Sequence, residues 1–89
     1  MRVLKEPKDI ILYSRAFCSW CMDAKEWLDQ HGWSYTLHDT GKDPAARQKA
    51  IEISHQSFVP VIEVDGFVLG DFDTNQLEAF LQEHGYLGN

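Results

Sequence analysis

Positive charge, cysteine and long apolar runs are all scarce in this 89-residue chain. Eight Lys and Arg stand against fourteen Asp and Glu, a formal charge of −6. Nucleic-acid affinity rests on neutralising phosphates, so a net-acidic chain without a basic run argues against a nucleic-acid binder. The same scarcity leaves no basic amphipathic stretch for a membrane surface. No apolar run approaches the ~20 residues that cross a bilayer. Residues 1–8 carry charges too often for the apolar region of a secretory leader. The cytoplasm is therefore the expected compartment. The remaining composition, 44% apolar and 25% charged, argues against disorder, collagen and coiled coil. It predicts one small domain over residues 1–89, with its core at about 9–84 and loosely held ends at 1–8 and 86–89. A monomer is expected.

Cysteine is rare but informative. The two cysteines, Cys18 and Cys21, are spaced C-x-x-C. A secreted disulfide scaffold of this size usually carries about four to eight. In a reducing compartment, a lone pair at this spacing points to redox chemistry or a metal. A zinc site needs about four ligands. There is no second C-x-x-C, and His31, His38, His55 and His84 lack the spacing of a ligand pair. No metal site is expected, and redox work is favoured over inert burial.

The periodicity predicts seven elements. Asp9–Tyr13 is a short apolar run that suits a strand buried on both faces. After a loop over Ser14–Phe17, Cys21, Ala24, Leu28 and His31 recur at helical spacing. This predicts a helix from about Cys18 to His31, closed by Gly32. Trp33–His38 alternates with period two and reads as a strand. Asp43 and Pro44 form a helix start, and that helix continues to about Ser54. Val61–Val64 and Phe67–Leu69 flank Asp65-Gly66, a strong hairpin signal. Asp73 and Gln76 have capping-box spacing before a last helix with Leu77, Phe80 and Leu81, ended by Gly85. The order β-α-β-α-β-β-α predicts an α/β fold. Its four-stranded mixed sheet has a parallel pair joined by a right-handed crossover, and three helices cover it.

A cysteine at the start of a helix sits beside unpaired backbone N–H groups and the positive end of the helix dipole. The thiolate is favoured there, so the Cys18 pKa is expected below the free value of ~8.5. A fall of ~2 units corresponds to roughly 2.7 kcal/mol of differential stabilisation. Cys21, one turn on and further from solvent, suits the resolving role. Cys18 would attack a disulfide, and Cys21 would then close the internal bond and release the product.

Three segments together resemble the glutaredoxin family, within the thioredoxin-like fold, over about residues 9–84. Tyr13-Ser14-Arg15-Ala16-Phe17-Cys18-Ser19-Trp20-Cys21 resembles its strand end, basic residue and C-P-Y-C site. Ser57-Phe58-Val59-Pro60 resembles its T-V-P segment, whose proline is cis. Gly70-Asp71-Phe72-Asp73 resembles its G-G-x-D segment. The resemblance implies a thiol–disulfide oxidoreductase for protein disulfides or protein–glutathione mixed disulfides, with glutathione as co-substrate and no bound cofactor. It implies catalytic roles for Cys18 and Cys21. It also implies a glutathione site with Arg15 and Gln56 on the glycyl carboxylate, and Trp20 beside the sulfur. Val59, before Pro60, would offer main-chain bonds. The Phe72 and Asp73 N–H groups would hold the γ-glutamyl carboxylate, and the Asp73 carboxylate its ammonium.

Some residues depart from the family pattern. Ser19 replaces the usual proline, and Trp20 the usual tyrosine or phenylalanine. Asp71 replaces the second glycine and adds negative charge near the expected anion site. That change favours an alternative, a redoxin recycled by a flavoprotein such as thioredoxin reductase and serving a ribonucleotide-reductase-like acceptor. Ser19 permits another alternative, a non-enzymatic [2Fe–2S] carrier. Arg47 and Lys49 read as the solvated face of the second helix.

Overall fold

The computed structural model describes residues 2–88. Its elements are β1 (Ile10–Ser14), α1 (Ser19–Gln30), β2 (Thr36–Asp39), α2 (Pro44–Ser54), β3 (Val61–Val64), β4 (Phe67–Gly70) and α3 (Thr74–Glu83). The sheet order is β2-β1-β3-β4. β1 runs parallel to β2, with Ile11 opposite Thr36, and antiparallel to β3, with Leu12 opposite Ile62. β4 returns antiparallel to β3. The order of elements predicted this four-stranded mixed sheet, and the arrangement is the thioredoxin-like one that the resemblance implied.

Strand alternation splits the core in two. Ile10 and Leu12 of β1 and Ile62 and Val64 of β3 pack with Ala24, Trp27 and Leu28 of α1 and Leu77, Phe80 and Leu81 of α3. On the opposite face, Tyr13 and Val61 pack with Ala46 and Ala50 of α2, with Ile11, Ile53 and Val68 alongside. Small alanines let α2 lie close to the sheet. The larger face is tied further by the Trp27 Nε1–H, which donates to Glu78 Oε2 at 2.9 Å.

The second strand is shorter than the alternation suggested, for a local reason. Gly32 takes a left-handed φ of +68° after α1, and its N–H donates to the Asp29 carbonyl. The Trp33 N–H donates to the Leu28 carbonyl, and its ring is buried. These two bonds make a Schellman cap, in which the residue after the glycine supplies the apolar contact. Trp33 therefore finishes a helix rather than starting a strand.

The same device corrects the expectation of loose ends. After α3, Gly85 has φ +84°, its N–H donates to Gln82, and the Tyr86 N–H donates to Leu81. Tyr86 and Leu87 join the main core. Val3 pairs with Leu87, and the Leu4 N–H donates to the Tyr86 carbonyl at 2.8 Å. The Tyr86 hydroxyl donates to Asp65 Oδ2 at 2.6 Å, and the Lys8 and Asp9 N–H groups donate to Asp65 Oδ1. The hairpin tip thus holds the segment before β1 and the segment after α3. For Met1 and Asn89 the expectation lies outside the described residues.

Candidate active site

Cys18 is the N-cap of α1, with extended backbone angles, and Cys21 lies inside its first turn. The two are joined by a disulfide with a Cα–Cα distance of 5.2 Å. Their surroundings differ sharply. Cys21 is completely buried, whereas Cys18 is partly exposed. The Cys18 sulfur accepts the Cys21 N–H at 3.2 Å, so one orphan donor of the helix start is aimed at it. The first turn carries no acidic side chain to oppose that field.

The loop between α2 and β3 forms the opposite wall. The Val59–Pro60 peptide is cis, and the Val59 carbonyl oxygen lies 3.9 Å from the Cys18 sulfur. Among the described residues, no hydrogen bond is made by the Val59 N–H. Pro60 is buried, and its carbonyl accepts the Asp71 N–H at 2.8 Å. Gly70 allows this loop to close on β4. A Cβ at Gly70 would meet Gln56 Nε2 at 2.7 Å and Ser54 Cβ at 3.0 Å.

Gln56 sits in this wall with its amide already engaged. Nε2 donates to Ser54 Oγ and the Phe58 carbonyl, both at 3.0 Å, and Oε1 accepts the Phe58 N–H at 2.7 Å. Gln56 thus clamps the turn that carries Val59. Arg15, by contrast, is exposed and faces a cleft of about 490 Å³ with Cys18, Trp20, Phe58 and Val59. It also lines an adjoining hollow with Thr40, Arg47 and Gln56. Arg47 is exposed, as expected, and also borders the site region. The available signal was its position beside Ala46 and Ala50, at the margin of the helix's inner face. No carboxylate lines either hollow among the described residues, on a chain of net charge −6.

The third segment is partly occupied by its own side chains. Asp73 caps α3 and accepts the Gln76 N–H at 2.8 Å. In return, the Asp73 N–H donates to Gln76 Oε1 at 2.9 Å. The Phe72 side chain is buried. Asp71 has a left-handed φ of +52°. That conformation suits the glycine it replaces and is tolerated by aspartate better than by most residues. Asp71 and Asp73 line neither hollow beside Cys18. No group of three or more His, Cys, Asp or Glu among the described residues could hold a metal ion, and no helix is long and apolar enough to cross a membrane.

A C-x-x-C disulfide at a helix start, facing a cis-proline loop on this sheet, defines a thioredoxin-fold redox protein. A glutaredoxin family profile matches residues 10–69. The chain belongs to the glutaredoxin family. It is 28% identical over 74 residues to an uncharacterized glutaredoxin-like 8.6 kDa protein in the rubredoxin operon of Clostridium pasteurianum, covering 83% of this chain and 99% of that one. The crystal structure of the thioredoxin-like protein BC3987 is similar at TM-score 0.74 and 29% identity, covering 82% of this chain and all of that chain. A buckwheat glutaredoxin–glutathione complex shares the fold at TM-score 0.64 and 21% identity, covering 89% of this chain and 81% of that one.

Proposed function

We propose that this protein is a dithiol oxidoreductase that reduces protein disulfides, with Cys18 attacking and Cys21 resolving. The observation that carries this reading is the asymmetry of the pair. Cys18 opens onto a cleft and accepts a helix-start N–H, while Cys21 is completely buried behind it. In the reduced protein, the Cys18 thiolate attacks one sulfur of a substrate disulfide. A mixed disulfide forms, and the other substrate sulfur leaves as a thiolate that takes a proton from water. Cys21 then gives up its proton and attacks the Cys18 sulfur. The second substrate thiol leaves, and two electrons have passed from the protein dithiol to the substrate. The Val59 N–H and carbonyl can pair with an extended substrate segment during this exchange. The reaction requires a compartment that returns the disulfide to the dithiol, which agrees with a cytoplasmic location.

Glutathione is proposed as a weak electron donor. Arg15 and Arg47 suit one carboxylate, and Asp73 suits the ammonium group. Gln56 and the Asp73 N–H, however, are engaged within the chain. These engagements, with the charge of Asp71, favour a flavoprotein reductase as a second reading for the electron source. The test is a turnover assay on one protein disulfide, comparing glutathione plus glutathione reductase with thioredoxin reductase. Turnover with either donor supports the dithiol reading, and the faster donor identifies the source. No reduction of any disulfide by the chemically reduced protein overturns it.

A further inference from the structure

Phe17 is the least economical residue in the fold. Its φ is +60°, a left-handed conformation that is a genuine outlier for a bulky side chain. The residue is fully exposed, so no core contact repays that conformation. It directly precedes Cys18. Trp20 at 53% and Phe58 at 65% exposure complete an aromatic rim around the same cleft. Exposed aromatics gathered at one cleft, unlike scattered ones, mark an interaction site.

We infer that Phe17 is a specificity residue. With Phe58, it grips an extended protein segment that carries a bulky apolar side chain beside its disulfide cysteine and an acidic side chain further along. This rests on the dithiol reading above. Cys21 is buried, so a substrate sulfur must reach Cys18 through this cleft and lie against the rim. The occupant of the rim is therefore whatever presents the disulfide. Glutathione has no apolar side chain to lay on three aromatic rings, whereas a protein segment does. The adjoining hollow contains Arg15 and Arg47 without a lining carboxylate, and so complements an acidic residue along the same segment. Val59 lines both the cleft and the hollow, and its N–H, which makes no hydrogen bond among the described residues, suits main-chain pairing with an extended strand.

The test uses two symmetric disulfide-linked peptide dimers. Both carry the same acidic residue; one has leucine or phenylalanine beside its cysteine, and the other has glycine there. Fully reduced protein is mixed with each dimer, and the single-turnover rate constant is read from peptide thiol released. Each event converts the protein dithiol to its disulfide and one dimer to two thiols. The expected result is a preference of about tenfold or more for the apolar dimer, equivalent to ~1.4 kcal/mol at the transition state. Phe17→Gly, which also removes the left-handed penalty and should not lower the melting temperature, is expected to bring the ratio close to one. A ratio near one in the parent, or an unchanged ratio in Phe17→Gly even if both rates fall, overturns the inference. Bis(2-hydroxyethyl) disulfide is run alongside as a small substrate. Reduction of it without reduction of either peptide also overturns the inference and leaves the dithiol reading standing. No reduction of any of the three overturns both.

Discussion

Replacing Gln76 with alanine should tighten glutathione binding, although Gln76 lines neither hollow beside Cys18. The reason is competition for one donor. The Asp73 N–H, which a glutathione carboxylate would use, donates to Gln76 Oε1 at 2.9 Å. A ligand carboxylate must displace that amide oxygen. The net value of such an internal bond is about 0.5–1.5 kcal/mol. Removing the competitor therefore predicts affinity about two- to twelvefold higher. Half of the capping box is lost in the exchange, so the variant should be less stable by ~0.5–1 kcal/mol. Asp71→Gly should act in the same direction by a different route. Two like charges ~6 Å apart in a water-like surface dielectric of ~80 cost roughly 0.7 kcal/mol, about threefold in affinity. Glycine also suits the φ of +52°, so this variant should melt higher than the parent. Asp73→Ala removes both the cap and the partner for the ammonium, and binding should fall. Calorimetric titration with millimolar glutathione at low salt reads all three. If Gln76→Ala stays folded but binds no tighter than the parent, the Asp73 N–H is not a ligand donor and the reasoning fails.

Two further predictions concern the helix start and the clasp at the chain ends. In Cys21→Ser, the Cys18 thiol should titrate below the free value of ~8.5, read from thiolate absorbance; a value at or above it contradicts the helix-start argument. Tyr86→Phe removes the hydroxyl bond to Asp65 and should cost about 1–2 kcal/mol, read by thermal unfolding. The pH dependence of that loss has a defined sign. Burial and the Asp65 bond push Tyr86 up from 10.0 to about 12, so the folded chain holds this proton more tightly than the unfolded chain. Its contribution is whole below pH 10.0 and is lost as pH rises through about 12. For Asp65, burial acts upward but is outweighed by bonds from Tyr86, Asp9 and Lys8 and by the charge of Lys5, so the carboxyl is held below 3.8. That contribution is present above pH 3.8 and is lost as pH falls through the lowered value. In Tyr86→Phe the alkaline loss should vanish, and the acid loss should shrink but persist through the Asp9 and Lys8 bonds.

Much of the fold was legible because its signals are local. The apolar run of β1, the Asp-Gly turn and the Asp73 cap each declare an element within a few positions. The ends were harder to read because their order comes from distant partners. His31-Gly32-Trp33 and His84-Gly85-Tyr86 carry the same His-Gly-aromatic pattern, and both form Schellman caps with a buried ring. Both glycines are legible as helix ends, but the burial of the aromatic residue after each depends on core residues distant in sequence. The cysteine pair was legible from spacing and its place after a strand. Gln76 was legible too, through its capping-box spacing with Asp73; Gln56 was not, because an amide looks the same in sequence whether free for a ligand or bonded to its own chain. Phe17 gave no warning either, since nothing in its residue type suggests a left-handed backbone.

The claim that Cys18 attacks and Cys21 resolves is tested most directly by trapping. Reduced Cys21→Ser and Cys18→Ser variants are each mixed with a disulfide-linked peptide dimer, quenched in acid, and weighed intact by mass spectrometry. The account predicts that Cys21→Ser accumulates one peptide adduct, mapped to Cys18, because no second thiol remains to expel it. Cys18→Ser should remain unmodified over the same interval, since its remaining thiol is completely buried. Equal adduct formation by both variants, or faster formation through Cys21, would contradict the account.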